Sequence, residues 1–396
     1  MLSMLPLALA VFAVGVDSYI VAAVLPAISD DLQEPIAQVG LLASAYALPT
    51  AVLAPVFGPI SDRRGRRFAL LLGLSIFAVA ALGCILAPSL PVLLLARAIN
   101  GVGGAIVLPA AFAAAGDLAA PEGRARAMGL LAGMFPLSTL LGLPFGALAA
   151  IITGWRGSFG FIFVVAIAAA LLVLRLPALD RPPGTAGQEP GYLATIRVAI
   201  RDPRARAALS VTFLWLTATF GLFVYVAEFV HRTYGIPSNQ AGLVYAVVGL
   251  VGVAATRFSD RVIARLGARR TVQVAIAAFA GAAFLLPATA VALPVTVLVF
   301  AVWAGGTWTG IPAMQTIVAS LSSSARGTLL AFLSSAINLG AVVGPIVTGR
   351  VLEAGGFAWA APWAAALGLV ALIAAWRVLP DAGAPQAAAV SVAAEA

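Results

Sequence analysis

Gly58-Pro59-Ile60-Ser61-Asp62-Arg63-Arg64-Gly65-Arg66-Arg67 stands between two apolar runs, near 37–60 and 67–88. A bilayer core of ~30 Å is crossed by ~20 helical residues, so each run is long enough to span, and the decapeptide reads as the tight charged turn between two spans. Glycine accepts the positive φ and the close backbone approach that so short a reversal needs. The Asp and Arg side chains can pair with helix ends and with one another. A loop that only set topology through positive charge would need neither the Gly nor the Asp at these positions.

Outward from this turn the same texture repeats. Further apolar runs fall near 5–27, 90–115, 125–151 and 156–178, then near 206–231, 239–257, 270–292, 294–321, 328–351 and 357–379. The chain is 62% hydrophobic and 10% charged, against roughly a quarter charged in a soluble domain, so its solvent is largely lipid. The pattern predicts an all-α membrane protein of twelve transmembrane helices. A bundle over 1–178 and a second over 206–380 are separated by a cytoplasmic linker at 179–205, where Pro and Gly forbid a span. A disordered Ala-rich tail is expected over 381–396.

The halves echo each other. Asp62 and Gly65 recur as Asp260 and Gly267, Gly142-Leu143-Pro144-Phe145-Gly146 is answered by Gly344-Pro345 and Gly349, and Gly154-Trp155 by Gly355-Gly356. Internal repeats of this kind accompany transporters that alternate access around a midplane site.

Charge excludes several chemistries. All 23 basic residues are Arg, so there is no Lys for a P-loop or a Schiff base, and the net charge of +8 does not mark a nucleic-acid partner. It is concentrated in loops on one side of the spans, among them Arg63, Arg64, Arg66, Arg67, Arg124, Arg126, Arg265, Arg269 and Arg270. The positive-inside rule then places both termini in the cytoplasm of a multi-pass plasma-membrane protein. A single Cys84 and a single His231 leave no disulfide framework, no metal site and no catalytic cluster for a membrane enzyme. Partners are therefore expected to be the bilayer and a small-molecule solute, with no cofactor, and the chain is expected to act as a monomer.

Residues inside the spans carry the rest. Asp17 lies near the middle of the first span, and Ala13 and Val21, one turn either side, offer it no partner. A carboxylate there is costly and usually functional; it can load and release a proton, the alternative being a static ion pair or hydrogen bond to another helix. Arg97, within the fourth span beside Asn100, Gly101, Gly103 and Gly104, must face a cavity, a partner or helix carbonyls. Glu228 is either a second proton- or cation-binding carboxylate or an interfacial residue paired with Arg232. Gly142, Pro144, Gly146, Gly344 and Pro345 read as close-packing and bending devices. Tyr46, Asn100, Phe220, Tyr225, Trp303, Trp308, Gln315 and Asn338 are candidates for a solute cavity, through stacking and a few hydrogen bonds.

The turn at 58–67 resembles motif A of the major facilitator superfamily, G-x-L-a-D-r-x-G-r-r. Arg97 to Gly103 is similar to motif B, Gly142 to Gly146 to the exporter motif C (with Gly-Leu-Pro in place of Gly-Pro and a final Ala147), and Asp17 to Pro26 to the D-x-t-x-x-x-x-x-L-P pattern of drug:proton antiporters. The resemblance implies two pseudo-symmetric six-helix bundles around a central cavity. It implies a cytoplasmic gating role for Gly58, Asp62, Arg63, Gly65, Arg66 and Arg67 with Asp117 as partner of Arg66. It also implies proton coupling by Asp17 and Arg97 and proton-coupled efflux of small lipophilic or cationic drugs; the absence of Lys with abundant Ala, Gly and Arg points to a GC-rich bacterial genome, and hence to the inner membrane. The alternative is an exporter or symporter of sugars, amino acids or another metabolite.

Overall fold

The computed structural model describes residues 4–120, 123–176, 202–322 and 326–380. Most of the expected linker and the whole expected tail lie outside these residues. So do the side chains of Asp62 and Arg63 and the surroundings of Gly58, three members of the predicted gating motif.

In lipid every backbone N–H and C=O must be satisfied within its own segment, which leaves the helix as the form for an apolar run of this length. The chain obeys: α1 is Leu5–Leu32, α2 Ile36–Arg64, α3 Arg66–Leu86 and α4 Leu90–Leu118. Next come α5 at Arg126–Thr153, α6 at Trp155–Val173, α7 at Pro203–Tyr234, α8 at Ala241–Leu266, α9 at Ala268–Val291 and α10 at Leu293–Ser320. A last helical stretch, Arg326–Val378, is broken at Gly355–Gly356, whose backbone is not helical; it makes α11 (326–354) and α12 (357–378). Twelve spans result, and no strand occurs among the described residues. The outer surface carries many large apolar side chains, with Val79, Leu86, Ile152, Phe284 and Val291 all more than two-thirds exposed, as a lipid-facing surface requires.

Several helices run past the apolar core read from sequence. α1 continues through Asp30 and Asp31, and α7 begins at Pro203, where Asp202 accepts a hydrogen bond from the Arg204 backbone N–H. The hydrophobic run marks the lipid-buried part, whereas helical hydrogen bonding goes on until a cap ends it.

Because the spans alternate in direction, the turns fall into two sets. Gly65 and Gly267 lie at one end of the molecule, and Gly154, Gly235 and Gly356 at the other. The echo between halves extends to the backbone: Gly65 and Gly267 have φ 89° and 79°, with ψ 144° and 151°. Gly154 and Gly356 have φ 75° and 62°. These are conformations that a residue with a Cβ adopts only under strain, which is why each turn keeps its glycine.

In the first half α1 packs on α4, α5 and α6, and α2 and α3 pack on α4; in the second α7 packs on α11, α8 on α10, and α9 on α10 and α12. Small residues bring these helices close. A side chain at Gly142 or Gly146 would strike Val16 or Ile20 of α1, and Gly221 of α7 lies against the backbone of Gly344. Pro144 removes one N–H from α5, and a π-helical turn at Ser138–Gly142 immediately precedes it, where the helix is re-registered.

The halves meet along α1–α7, α2–α11 and α5–α8. Ser44 of α2 donates to the Val342 carbonyl of α11 at 2.7 Å. Gly40 of α2 faces the Tyr225 ring, Gly242 of α8 the Ala23 carbonyl of α1, and Gly249 the α5 backbone at Leu140. All these contacts lie at mid-height or toward the Gly154 end, so the seam is closed there.

Candidate functional site

α1 separates two features. Asp17 and Tyr19 are two positions apart, about 200° round a helix, and they face different neighbours.

On one face Asp17 meets α4. Asp17 and Arg97 are both 0% exposed. Arg97 donates from Nη1 to Asp17 Oδ1 at 2.6 Å and from Nη2 to the Asp17 backbone carbonyl at 3.0 Å. Asn100, one turn further along α4, donates from Nδ2 to the same Oδ1 at 3.0 Å. The Tyr46 ring of α2 lies 4.6 Å from the guanidinium carbon and the Phe159 ring of α6 5.9 Å. Tyr46 reaches this position because α4 is glycine there: a Cβ at Gly101 would run into the Tyr46 carbonyl, and one at Gly104 into its hydroxyl. Ser18 donates to that hydroxyl at 3.2 Å. Three atoms of the cluster, Asp17 Oδ2, Arg97 Nε and Asn100 Oδ1, have no hydrogen-bond partner among the described residues. The buried pair is thus held on one carboxylate oxygen with the other uncommitted.

On the other face Tyr19 meets α7, its ring stacked on Phe220 (centroids 6.4 Å) and edge-on to Phe223 (5.6 Å). Beyond these rings lies a cavity of about 40 Å³, lined by Tyr19 and Thr139 from the first half and otherwise by the second, including Thr219, Phe220, Phe223, Phe300, Trp303, Thr307 and Trp308. That is space for a few waters, whereas a drug-sized ligand occupies a pocket of ~300–1,000 Å³.

The residues grouped from sequence therefore separate. Phe220, Trp303 and Trp308 line the cavity. Tyr46 and Asn100, grouped with them, belong to the Asp17 cluster instead. Tyr225 is fully buried and donates to the Pro345 carbonyl at 3.0 Å, Asn338 donates to the Ser334 carbonyl of its own helix, and Gln315 is exposed. The cause is helical phase, which apolar neighbours on every side of a span do not reveal. Tyr19, Thr219, Phe223 and Thr307 also line the cavity, and for the same reason their sequence context carries no sign of it. Glu228 is not brought to Asp17 either. It is buried, ion-paired with Arg232 on its own helix and within electrostatic reach of Asp30, which lies about 20 Å along α1 from Asp17 at 1.5 Å per residue.

At the Gly65 end, Arg66 of α3 donates from Nε to Asp117 Oδ2 of α4 at 3.1 Å, and Arg67 from Nη2 to the Leu174 carbonyl after α6 at 2.6 Å. At the Gly154 end a cluster not read from sequence ties three helices. Trp155 and Arg156 of α6 both donate to Asp31 Oδ2 of α1, at 2.9 and 2.7 Å, and Arg156 reaches the Ala87 carbonyl after α3 at 3.1 Å.

Twelve apolar helices in two echoing halves, closed over an intramembrane ion pair and a central aromatic cavity, define a multi-pass membrane transporter. The chain belongs to the Major Facilitator Superfamily, whose family model matches residues 7–322. It is 30% identical over 352 residues to an uncharacterized MFS-type transporter, YceJ, of Bacillus subtilis (strain 168), covering 86% of this chain and 87% of the relative. It is also 30% identical over 354 residues to a chloramphenicol resistance protein of Streptomyces lividans, covering 87% and 88%. In fold it is similar to a bacterial homologue of the human lysosomal transporter Spinster, with TM-score 0.75 and 21% identity over 97% of this chain and 98% of that one.

Proposed function

We propose that this chain exports small lipophilic solutes across a bacterial plasma membrane in exchange for protons. The observation that carries the reading is Asp17, a carboxylate with no exposure, engaged through one oxygen and unpartnered at the other.

A proton arriving at Oδ2 would neutralise the carboxylate and leave Arg97, which cannot shed its own proton, as an uncompensated buried cation. Removing one partner of a buried pair costs ~3–5 kcal/mol. Moving a two-state equilibrium from 1:99 to 99:1 takes ~5.5 kcal/mol. One proton at Asp17 is thus of the right size to bias the two bundles between states, with α1 as the shared element. Since Asp17 faces α4 and the cavity lies across α1, proton and solute communicate through the position of α1 and do not compete for one carboxylate.

With both termini cytoplasmic, the closed seam faces outward and solute loads from inside. Arg66 with Asp117, and Arg67 with the end of α6, brace the first bundle around the motif A turn, which would close the inner gate in the opposite state. The Streptomyces relative, named for chloramphenicol resistance, supports efflux of a drug-like solute. The test is chloramphenicol transport in proteoliposomes under an imposed pH gradient. Asp17→Asn is expected to lose gradient-driven accumulation while still passing solute down its own gradient. Full gradient-driven accumulation by Asp17→Asn would refute the coupling role.

A further inference from the structure

On the reading of the central cavity as the transport site, we infer that its solute is an uncharged aromatic amphiphile, a ring system carrying a hydroxyl, amide or carbonyl, and that permanently charged cations are rejected. Two hydroxyls give the polar half of this assignment. Thr219 Oγ1 and Thr307 Oγ1 both line the cavity, their residues are 3% and 9% exposed, and neither hydroxyl has a hydrogen-bond partner among the described residues. While Thr217 and Thr256, away from the cavity, are unpartnered among the described residues like Thr219 and Thr307, Thr50, Thr212 and Thr271 spend their hydroxyl on a carbonyl of the preceding turn. Thr139, a third hydroxyl of the lining, is committed in this way to the Pro136 carbonyl. The two unpartnered hydroxyls, one on α7 and one on α10, line the same cavity, and each can donate and accept.

Ring faces give the apolar half. Tyr19, Phe220, Phe223, Phe300, Trp303 and Trp308 bound the same space, with Trp303 edge-on to Phe223 at 6.4 Å. Such rings would also attract a cation, so charge decides the matter. No Asp, Glu or Arg lines the cavity among the described residues. The buried carboxylates on the lining helices are Asp17, paired with Arg97, and Glu228, paired with Arg232. Each pair sums to zero when its carboxylate is ionised and to one positive charge when it holds a proton, so neither presents net negative charge at any stage of the cycle. A cation entering a closed apolar space without a counter-charge gives up its hydration uncompensated. An uncharged donor or acceptor gains the two waiting hydroxyls.

The test compares three probes on one ring, naphthylethanol, its trimethylammonium counterpart and ethylnaphthalene, by equilibrium binding to the full chain in nanodiscs with empty nanodiscs as the blank. The alcohol is expected to bind tightest and the ammonium at least about tenfold more weakly. Thr219→Val and Thr307→Val, nearly isosteric, should each lower affinity for the alcohol by about 3- to 10-fold, the range of one net hydrogen bond, and leave ethylnaphthalene unchanged. Thr219→Ser should restore the alcohol. Ammonium binding as tight as that of the alcohol in the unaltered protein would overturn the assignment, whatever the variants do. So would an undiminished preference for the alcohol over ethylnaphthalene in the Thr219→Val/Thr307→Val double variant. Binding needs no gradient, so failure of proton coupling is distinguishable: tight alcohol binding without gradient-driven movement refutes antiport and leaves this site standing.

Discussion

Deleting one side of the Asp17–Arg97 pair should damage the protein more than deleting both, and the two single deletions should differ with pH. Asp17→Leu removes a 2.6 Å charged contact and a 3.0 Å bond from Asn100, and strands a guanidinium that keeps its proton at any working pH. The backbone carbonyl of residue 17 and the Tyr46 and Phe159 rings still receive it, but no counter-charge does. The expected loss is ~3–5 kcal/mol, with little dependence on pH. Arg97→Leu strands a carboxylate, which acid can neutralise, so its loss should be comparable at neutral pH and shrink as pH falls. The Asp17→Leu/Arg97→Leu double variant leaves no buried charge in the pair, with leucine on both helices. Replacing a buried ion pair by apolar residues is often neutral or stabilising, so this variant should recover most of either loss and be stable yet uncoupled. The assay is thermal unfolding of the purified protein in detergent, for the four members of the cycle, between mildly acidic and neutral pH. Losses that simply add in the double variant, or an Asp17→Leu protein as stable as the unaltered chain, would refute the reasoning. Either outcome would mean that the pair is solvated or loosely held, contrary to its burial.

Close packing predicts that Gly146→Leu, whose side chain would run into Ile20, overpacks the α1–α5 contact at a cost of ~1–3 kcal/mol, seen as a lower melting temperature and lower yield. At the Gly65 end, Arg66→Gln should hardly shift the melting temperature, since Asp117 is 45% exposed and half-exposed pairs contribute ~0–1 kcal/mol. Its effect is expected in the transport rate and in labelling of single cysteines placed along α4 and α5. Tyr46→Phe keeps the ring over Arg97 and drops only the Ser18 contact, so it should cost under ~1 kcal/mol, whereas Tyr46→Ala also forfeits a cation–π contact of ~0.5–2 kcal/mol; a cycle with Arg97→Leu separates the two.

Sequence alone carried the fold a long way. Run length against bilayer thickness fixes the number of spans, glycines that must adopt positive φ mark the turns, and repetition of those turns between halves gives the symmetry. Each of these is a local or one-dimensional property, read from neighbours in the chain. The close-packed glycines of α5 are legible in the same way, whereas the partnership of Arg66 with Asp117 was implied by the resemblance of the 58–67 turn to motif A.

What escaped was the phase of each helix about its axis. In a soluble helix the polar face reports that phase, but in a chain surrounded by lipid and packed on apolar helices the two sides of a span look alike in sequence. Only the tertiary structure set Tyr46 and Asn100 beside Asp17, sent Tyr225 to Pro345, and brought Tyr19, Thr219 and Thr307 to one cavity with Phe220, Trp303 and Trp308. It likewise decided that Asp17 and the cavity lie on opposite sides of α1, and that Glu228 belongs with Arg232 near Asp30. The need for an intramembrane carboxylate and an intramembrane Arg is written in the residues, because charge is costly in lipid wherever it falls. Which partner meets that cost depends on which helices lie side by side, and that is a property of the packed bundle.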